Sequence, residues 1–209
     1  MHRSAADGLP PGSGALVANV IRPTWMRASA GGRTLGMVGP HTQFGSPDVL
    51  LVRRIDDRWL GVLSELAGNG RMGWVPRSAV SLRRDSYLVE ASLSARNLVV
   101  MAAGRVLARY PVGIGASWAP TPAGQFAVTD TIVTGQPDGP YGCCIVALTA
   151  TAPHAIPGWT GGNRIAIHAT AETETIGQPD SHGCLRVTAA DANWLIKHVP
   201  EGTPVTITG

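Results

Sequence analysis

At 209 residues, with 44% hydrophobic and only 15% charged residues, the chain is long enough for one large or two small folded units and too apolar to stay an unfolded polymer. Its net charge of +3 comes almost wholly from arginine, Lys197 being the single lysine; only Arg53-Arg54 and Arg83-Arg84 are adjacent, so no basic stripe follows a phosphate backbone, which argues against nucleic acid as a partner. Gly 26 and Pro 16, among many Val, Thr and Ile positions, favour short strands joined by turns and predict a mostly β fold.

Residues 1–14, "MHRSAADGLPPGSG", read as a disordered leader. The apolar stretch from Ala15 to Ile21 contains Asn19 and is too short for a signal-peptide core or a bilayer span, so no membrane span and no export signal are expected in these residues. Four short strands follow the leader: "ALVANVI", "DVLLVRRI", "RWLGVLS" and "RMGWVP". Asp56-Asp57 and Gly68-Asn69-Gly70 supply turns between the later ones. This pattern predicts a small barrel over residues 15–82. The segments Trp59-Leu60-Gly61-Val62 and Gly73-Trp74-Val75-Pro76 resemble the bacterial SH3-like fold, with Trp59 and Trp74 expected as core rather than as ligand platforms.

Residues 81–86, "SLRRDS", are polar and charged between two hydrophobic patterns and are predicted to be a linker. A second unit then spans residues 86–209. "YLVEASL" and "NLVVMAAGRVLARYPVGIG" read as strands, with Ala103-Gly104 as a hairpin turn. Thr121-Pro122-Ala123-Gly124-Gln125-Phe126 reads as a proline turn leading into "FAVTDTIV". One helix is expected, begun by Thr188 with Asp191 three residues on and buried through Ala192, Leu195, Ile196 and Val199. Pro200 and Gly202 end it, and "TPVTI" closes the chain as a last strand. Of the three cysteines, Cys143 and Cys144 are neighbours; a bond between them would close a strained small ring, so two thiols buried on a strand are expected.

Cys184 is placed differently, in the glycine-flanked turn Ser181-His182-Gly183-Cys184. A thiol of pKa about 8.5 is mostly protonated at neutral pH and needs a base or a cation beside it to act as a nucleophile. Two histidines are candidates. His168 ends the strand "RIAIHA", and the loop of residues 169–183 is long enough to return Cys184 to it, whereas His182 is nearer in sequence and less certain in orientation. Gly183 permits a close approach of substrate and an oxyanion site built from local N–H groups.

These residues resemble the signature of the L,D-transpeptidases, the YkuD-like catalytic domain: His168, a spacer, then Ser181-His182-Gly183-Cys184-Leu185-Arg186. Thr121 to Phe126 resembles the family's "TPxGxF" turn and Gly202 to Ile207 its closing strand, so the resemblance covers about residues 86–208. It implies a β-rich sandwich with the cysteine at the mouth of a groove, and bacterial peptidoglycan stem peptides as partner. The implied reaction cuts a tetrapeptide stem before its terminal D-alanine, holds it as a thioester and passes it to an amine of a neighbouring stem. Cys184 is then the nucleophile and His168 the general base, oriented by the carbonyl of Ala169. Ser181, His182 and Gly183 shape the site and are assigned to oxyanion or substrate binding. Arg186 pairs either with a substrate carboxylate or within the protein, and Tyr141 either lines the acyl-donor groove or stands on a surface loop. No cofactor is required. Substrate logic places the protein outside the cytoplasm, in the cell wall or periplasm.

Three other readings compete. His182, Cys184, His168 and His154 could ligate zinc, although paired Cys-x-x-Cys spacing is absent and no metal is expected. The chain could bind wall without turning it over, or water could replace the amine, giving an L,D-carboxypeptidase.

Overall fold

The computed structural model describes residues 14–153 and 162–209. The chain is mostly β, and among the described residues it forms two sheets with a small two-stranded pairing beside them. The first sheet contains β1 (Ala15–Val20), β2 (Thr24–Arg27), β3 (Thr34–Val38), β4 (Val49–Asp56), β5 (Trp59–Val62), β6 (Gly73–Pro76) and β7 (Val80–Asp85), in the order β3-β2-β6-β5-β4-β1-β7. One core collects Val38 from one edge, Val80 from the other, and Ala18, Met26, Val52, Leu60 and Val75 between them. Strands lie about 4.8 Å apart, so a flat seven-stranded sheet could not bring its two edges to a common core. The sheet therefore curls around these side chains, as the predicted barrel requires.

Two of its strands, β2 and β3, were not foreseen. Their apolar residues do not alternate with polar ones: Met26 and Val38 face the core while Trp25 and Met37, paired across the strands, face out and are half exposed. Residues 81–85, expected as linker, belong to β7 and pair with β1 along its whole length. The strand is polar because most of its outward side chains meet solvent, and Asp85 is buried as an anchor. Its carboxylate accepts from Thr203 Oγ1 at 2.8 Å and from the Tyr87 amide at 3.0 Å. Only Ser86 separates β7 from the second unit.

That unit contains β8 (Tyr87–Ser92), β9 (Asn97–Ala102), β10 (Arg105–Pro111), β11 (Ile114–Gly115), β12 (Gly124–Val133), β13 (Cys144–Thr151), β14 (Arg164–Ala169), β15 (Pro179–Ser181), β16 (Leu185–Val187), α1 (Ala189–His198) and β17 (Pro204–Thr208). Ala103 and Gly104, both with positive φ, make the expected hairpin turn between β9 and β10. The large sheet runs β10-β9-β8-β17-β12-β13-β14-β16, and β11 pairs with β15 beside it. Its hinge is β12: Gly124 to Ala127 pair with β17, and Val128 to Val133 pair with β13, with a register shift between Val128 and Asp130. The two halves close on one core of Val89, Leu98, Phe126, Leu148, Ile167 and Leu185, giving the sandwich form expected. The helix begins as predicted, the Asp191 amide donating to Thr188 Oγ1 at 3.1 Å, and buries Ala192 and Leu195.

The two units are packed together. Val17, Val49, Leu51 and Leu63 of the first form a common apolar cluster with Ala127 of the second. Asn69 donates to the Thr151 carbonyl at 2.7 Å and accepts from its amide at 2.9 Å, and Arg83 donates to the Glu201 carbonyl at 3.1 Å.

Candidate active site

Strands β14 and β16 run parallel, with Ile167 opposite Leu185 and His168 opposite Arg186. Side chains alternate between faces, so burying Ile167 and Leu185 in the core directs His168 and Arg186 to the opposite face. Cys184 stands one residue before β16, level with Ala166, and the same alternation turns it toward His168's side. His168 and Cys184 thus become diagonal neighbours through strand register alone. Both line a groove of about 310 Å³, together with Tyr141, Arg164, Ser181, His182 and Arg186.

The turn carrying Cys184 is held from within. Ser181 is 1% exposed, and its hydroxyl donates to the Cys184 carbonyl at 2.6 Å while accepting from the Gly183 amide at 3.1 Å. Of the local N–H groups expected to form an oxyanion site, that of Gly183 is engaged by Ser181, so both residues set the turn's geometry. Gly183 has φ +108°, and a Cβ there would lie 2.9 Å from Ile165 Cδ1; no other residue fits this backbone without displacing the core.

His168 is 4% exposed, and its Nδ1 lies 2.7 Å from the carbonyl of Ala169. A carbonyl can only accept, so Nδ1 carries the proton and Nε2 keeps its lone pair. Burial holds the imidazole pKa down at about 4, partly opposed by hydrogen bonding to the Ala169 and Tyr141 backbone. The Cys184 thiol is pushed up by burial, with a backbone hydrogen bond at Ala166 and the Arg186 charge pulling the other way, yet the residue keeps part of its surface open to the groove. The resting pair is neutral imidazole beside neutral thiol. Such a pair can move a proton from sulfur to nitrogen as the sulfur attacks.

Tyr141 does not stand on an open surface loop: it lines the groove, its ring meeting that of His168 edge-on at 5.1 Å. Gly142, with φ +58°, lets the chain pass close behind the histidine, because a Cβ there would fall 2.6 Å from that of Ala169. Next to it Cys143 and Cys144 form a disulfide, contrary to the expected pair of buried thiols. Cys144 opens β13 and Cys143 lies in the turn before it, half-buried, so the small ring sits at a strand end where no ladder is broken. Cys184 is the free cysteine.

Arg186 is paired within the protein. Its guanidinium lies 3.1 Å from Glu172 and 3.5 Å from Asp180 and donates to Thr175 Oγ1 at 3.3 Å. His182 is exposed and packs edge-on against Trp118 with ring centres 4.9 Å apart. Sequence reasoning passed over Trp118, which sits in a Gly- and Pro-rich stretch with no periodicity to mark it. It also passed over Arg164, at the groove's other end, whose charge is met by Asp130 at 3.5 Å. Among the described residues no group of three His, Cys, Asp or Glu side chains is gathered to hold a metal ion; His154 lies outside them.

The family model for the L,D-transpeptidase catalytic domain, YkuD, matches residues 86–207. The chain belongs to this family. The Bacillus subtilis protein named for L,D-transpeptidase YkuD is 30% identical over 121 residues, 58% of this chain and 65% of its own length. Its Bacillus licheniformis counterpart is 30% identical over 122 residues, 58% of this chain and 66% of that protein. The chain thus spans just under two thirds of the length of these relatives. Among solved structures, L,D-transpeptidase 3 of Mycobacterium tuberculosis with a faropenem-derived adduct is 20% identical with a TM-score of 0.49, covering 66% of this chain and 73% of that one.

Proposed function

We propose that the protein is a cysteine acyltransferase of peptidoglycan, an L,D-transpeptidase acting outside the cytoplasm. The observation that carries the reading is the placement of Cys184 and His168 on one groove-facing side of β14 and β16, with the imidazole's tautomer set by Ala169. As Cys184 Sγ attacks the carbonyl before the stem's terminal D-alanine, His168 Nε2 takes the thiol proton. It returns that proton to the departing D-alanine nitrogen, leaving the stem as a thioester on Cys184. An amine of a neighbouring stem then adds to the thioester carbonyl, forming the amide bond and releasing the sulfur, which regains a proton. The Cys184 N–H is the oxyanion donor this reading assigns, since that of Gly183 is occupied. Because Arg186 is already held by Glu172 and Asp180, its task is to fix the turn of residues 172–180 against β16.

The first unit, read as an SH3-like barrel, serves as a brace: Asn69 and the apolar cluster fasten it to β13 and β12, and β13 pairs with the β14 strand that carries His168. Incubation with purified tetrapeptide stems tests the reading. Cross-linked dimers and free D-alanine are expected from the unaltered protein and neither from Cys184→Ala; dimers formed by that variant would refute the nucleophile.

A further inference from the structure

Acyl transfer needs two substrates, and both must reach Cys184 in the groove. Its walls run from Asp138 and Tyr141 past Cys184 to Glu172 and Arg186, and they include His182 but not Trp118. His182 is therefore shared: it borders the groove and also meets the indole. Trp118 is 61% exposed, which an aromatic covered on both faces could not be. Nor is it on a slack loop. The Ala116 amide donates to the Ser181 carbonyl at 2.8 Å, the Ala119 amide closes a turn on the Ala116 carbonyl at 2.9 Å, and buried Thr121 Oγ1 accepts from the Gly115 amide at 2.8 Å. The turn bearing the indole is fastened to the residue that starts the Ser181-to-Cys184 turn, so the ring's position is tied to that of the thiol.

We infer that Trp118, backed by His182, is the acceptor-side platform of the transfer reaction, binding the alkylammonium side chain of the incoming stem. The inference rests on the transferase reading above. An indole face suits this ligand, packing the methylene stem on the ring and attracting the ammonium to its π cloud. The ammonium gives up one proton to solvent. The neutral nitrogen then adds to the thioester carbonyl; the C–S bond breaks, the C–N bond forms, and the second nitrogen proton passes through His168 to the sulfur.

The test separates the two half-reactions in the full chain. With a tetrapeptide donor and Nα-acetyl-lysine as acceptor, Trp118→Ala is expected to raise the KM for the amine about two- to fivefold, the scale of an exposed cation–π contact. Product shifts from amide toward hydrolysed tripeptide, while the rate of Cys184 acylation measured by intact mass stays as in the unaltered protein. Trp118→Phe should recover part of the amine affinity. An unchanged amine KM in Trp118→Ala would overturn the platform, and so would acylation falling in step with aminolysis, which marks a structural role. Retention on glycan strands falling with the partition unchanged would reassign Trp118 to a sugar ring and overturn it too. If the unaltered protein forms no thioester, or one that only water resolves, the transferase reading itself fails; if it joins stems through an amine whose KM Trp118→Ala leaves unchanged, the platform alone fails.

Discussion

At the scale of single residues, the site depends on a histidine kept neutral by burial. With its pKa at about 4, His168, the proposed base, remains unprotonated well below the pH at which a solvated imidazole would be charged. The acid limb of the acylation rate is therefore expected near pH 4 rather than 6.5, and rates of thioester formation with a tetrapeptide stem from pH 3.5 to 8 would show it; a limb near 6.5 would mean the ring titrates as if exposed. The same shift affects stability. The unfolded chain binds the His168 proton below pH 6.5 and the folded one only below about 4, so this residue costs stability as pH falls through that window. His168→Gln should lower acylation by about 10²- to 10⁴-fold, the range of a lost general base, and near-normal rates would transfer the role to His182. The residues proposed as nucleophile and base, Cys184 and His168, were both legible as residue types in a motif. That Ser181 is consumed by its own turn was not, because a hydroxyl's partners are set by coordinates and not by spacing.

At the scale of elements, two adjacent parallel strands place the chemistry, and the turn between β15 and β16 tunes it. Gly183→Ala forces a Cβ into Ile165 and demands a left-handed backbone of a residue that resists it. The variant should remain folded with lowered melting temperature and lose most of its acylation, measured by thermal unfolding and intact mass together; retained acylation would show that the turn tolerates a shift. The strand end at β13 offers a second check. Alkylation of the unfolded chain without reductant should modify Cys184 alone, and three modified thiols would contradict the Cys143–Cys144 pairing. The helix and the hairpin at Ala103-Gly104 were readable because caps and turns are local. Strands β2, β3 and β7 were not, since their sequences reflect which face the curled sheet leaves outside, a property of the tertiary fold.

At the scale of the whole molecule, the first unit reaches the site's supporting strands through a junction that carries buried charge. Asp48 has its pKa raised to about 7, first by burial and then by Glu65 and Asp130, with a backbone hydrogen bond at Gly39 and then Arg164 only partly relieving it. A carboxyl that holds its proton more tightly folded than unfolded loses stability as pH rises from 3.8 to 7, and the penalty persists above that. Asp48→Asn should therefore raise the melting temperature at pH 8 and leave it unchanged at pH 3.5; equal effects at both would exclude this titration. Such a junction could not be read from the sequence, where Asp48 and Asp130 belong to separate patterns. The central claim concerns one atom, the sulfur of Cys184, and intact-protein mass spectrometry after incubation with a tetrapeptide stem addresses it most directly. A single covalent adduct, mapped to Cys184 and missing from Cys184→Ala, is the predicted result; an unmodified protein, or an adduct that persists in that variant, would contradict the account.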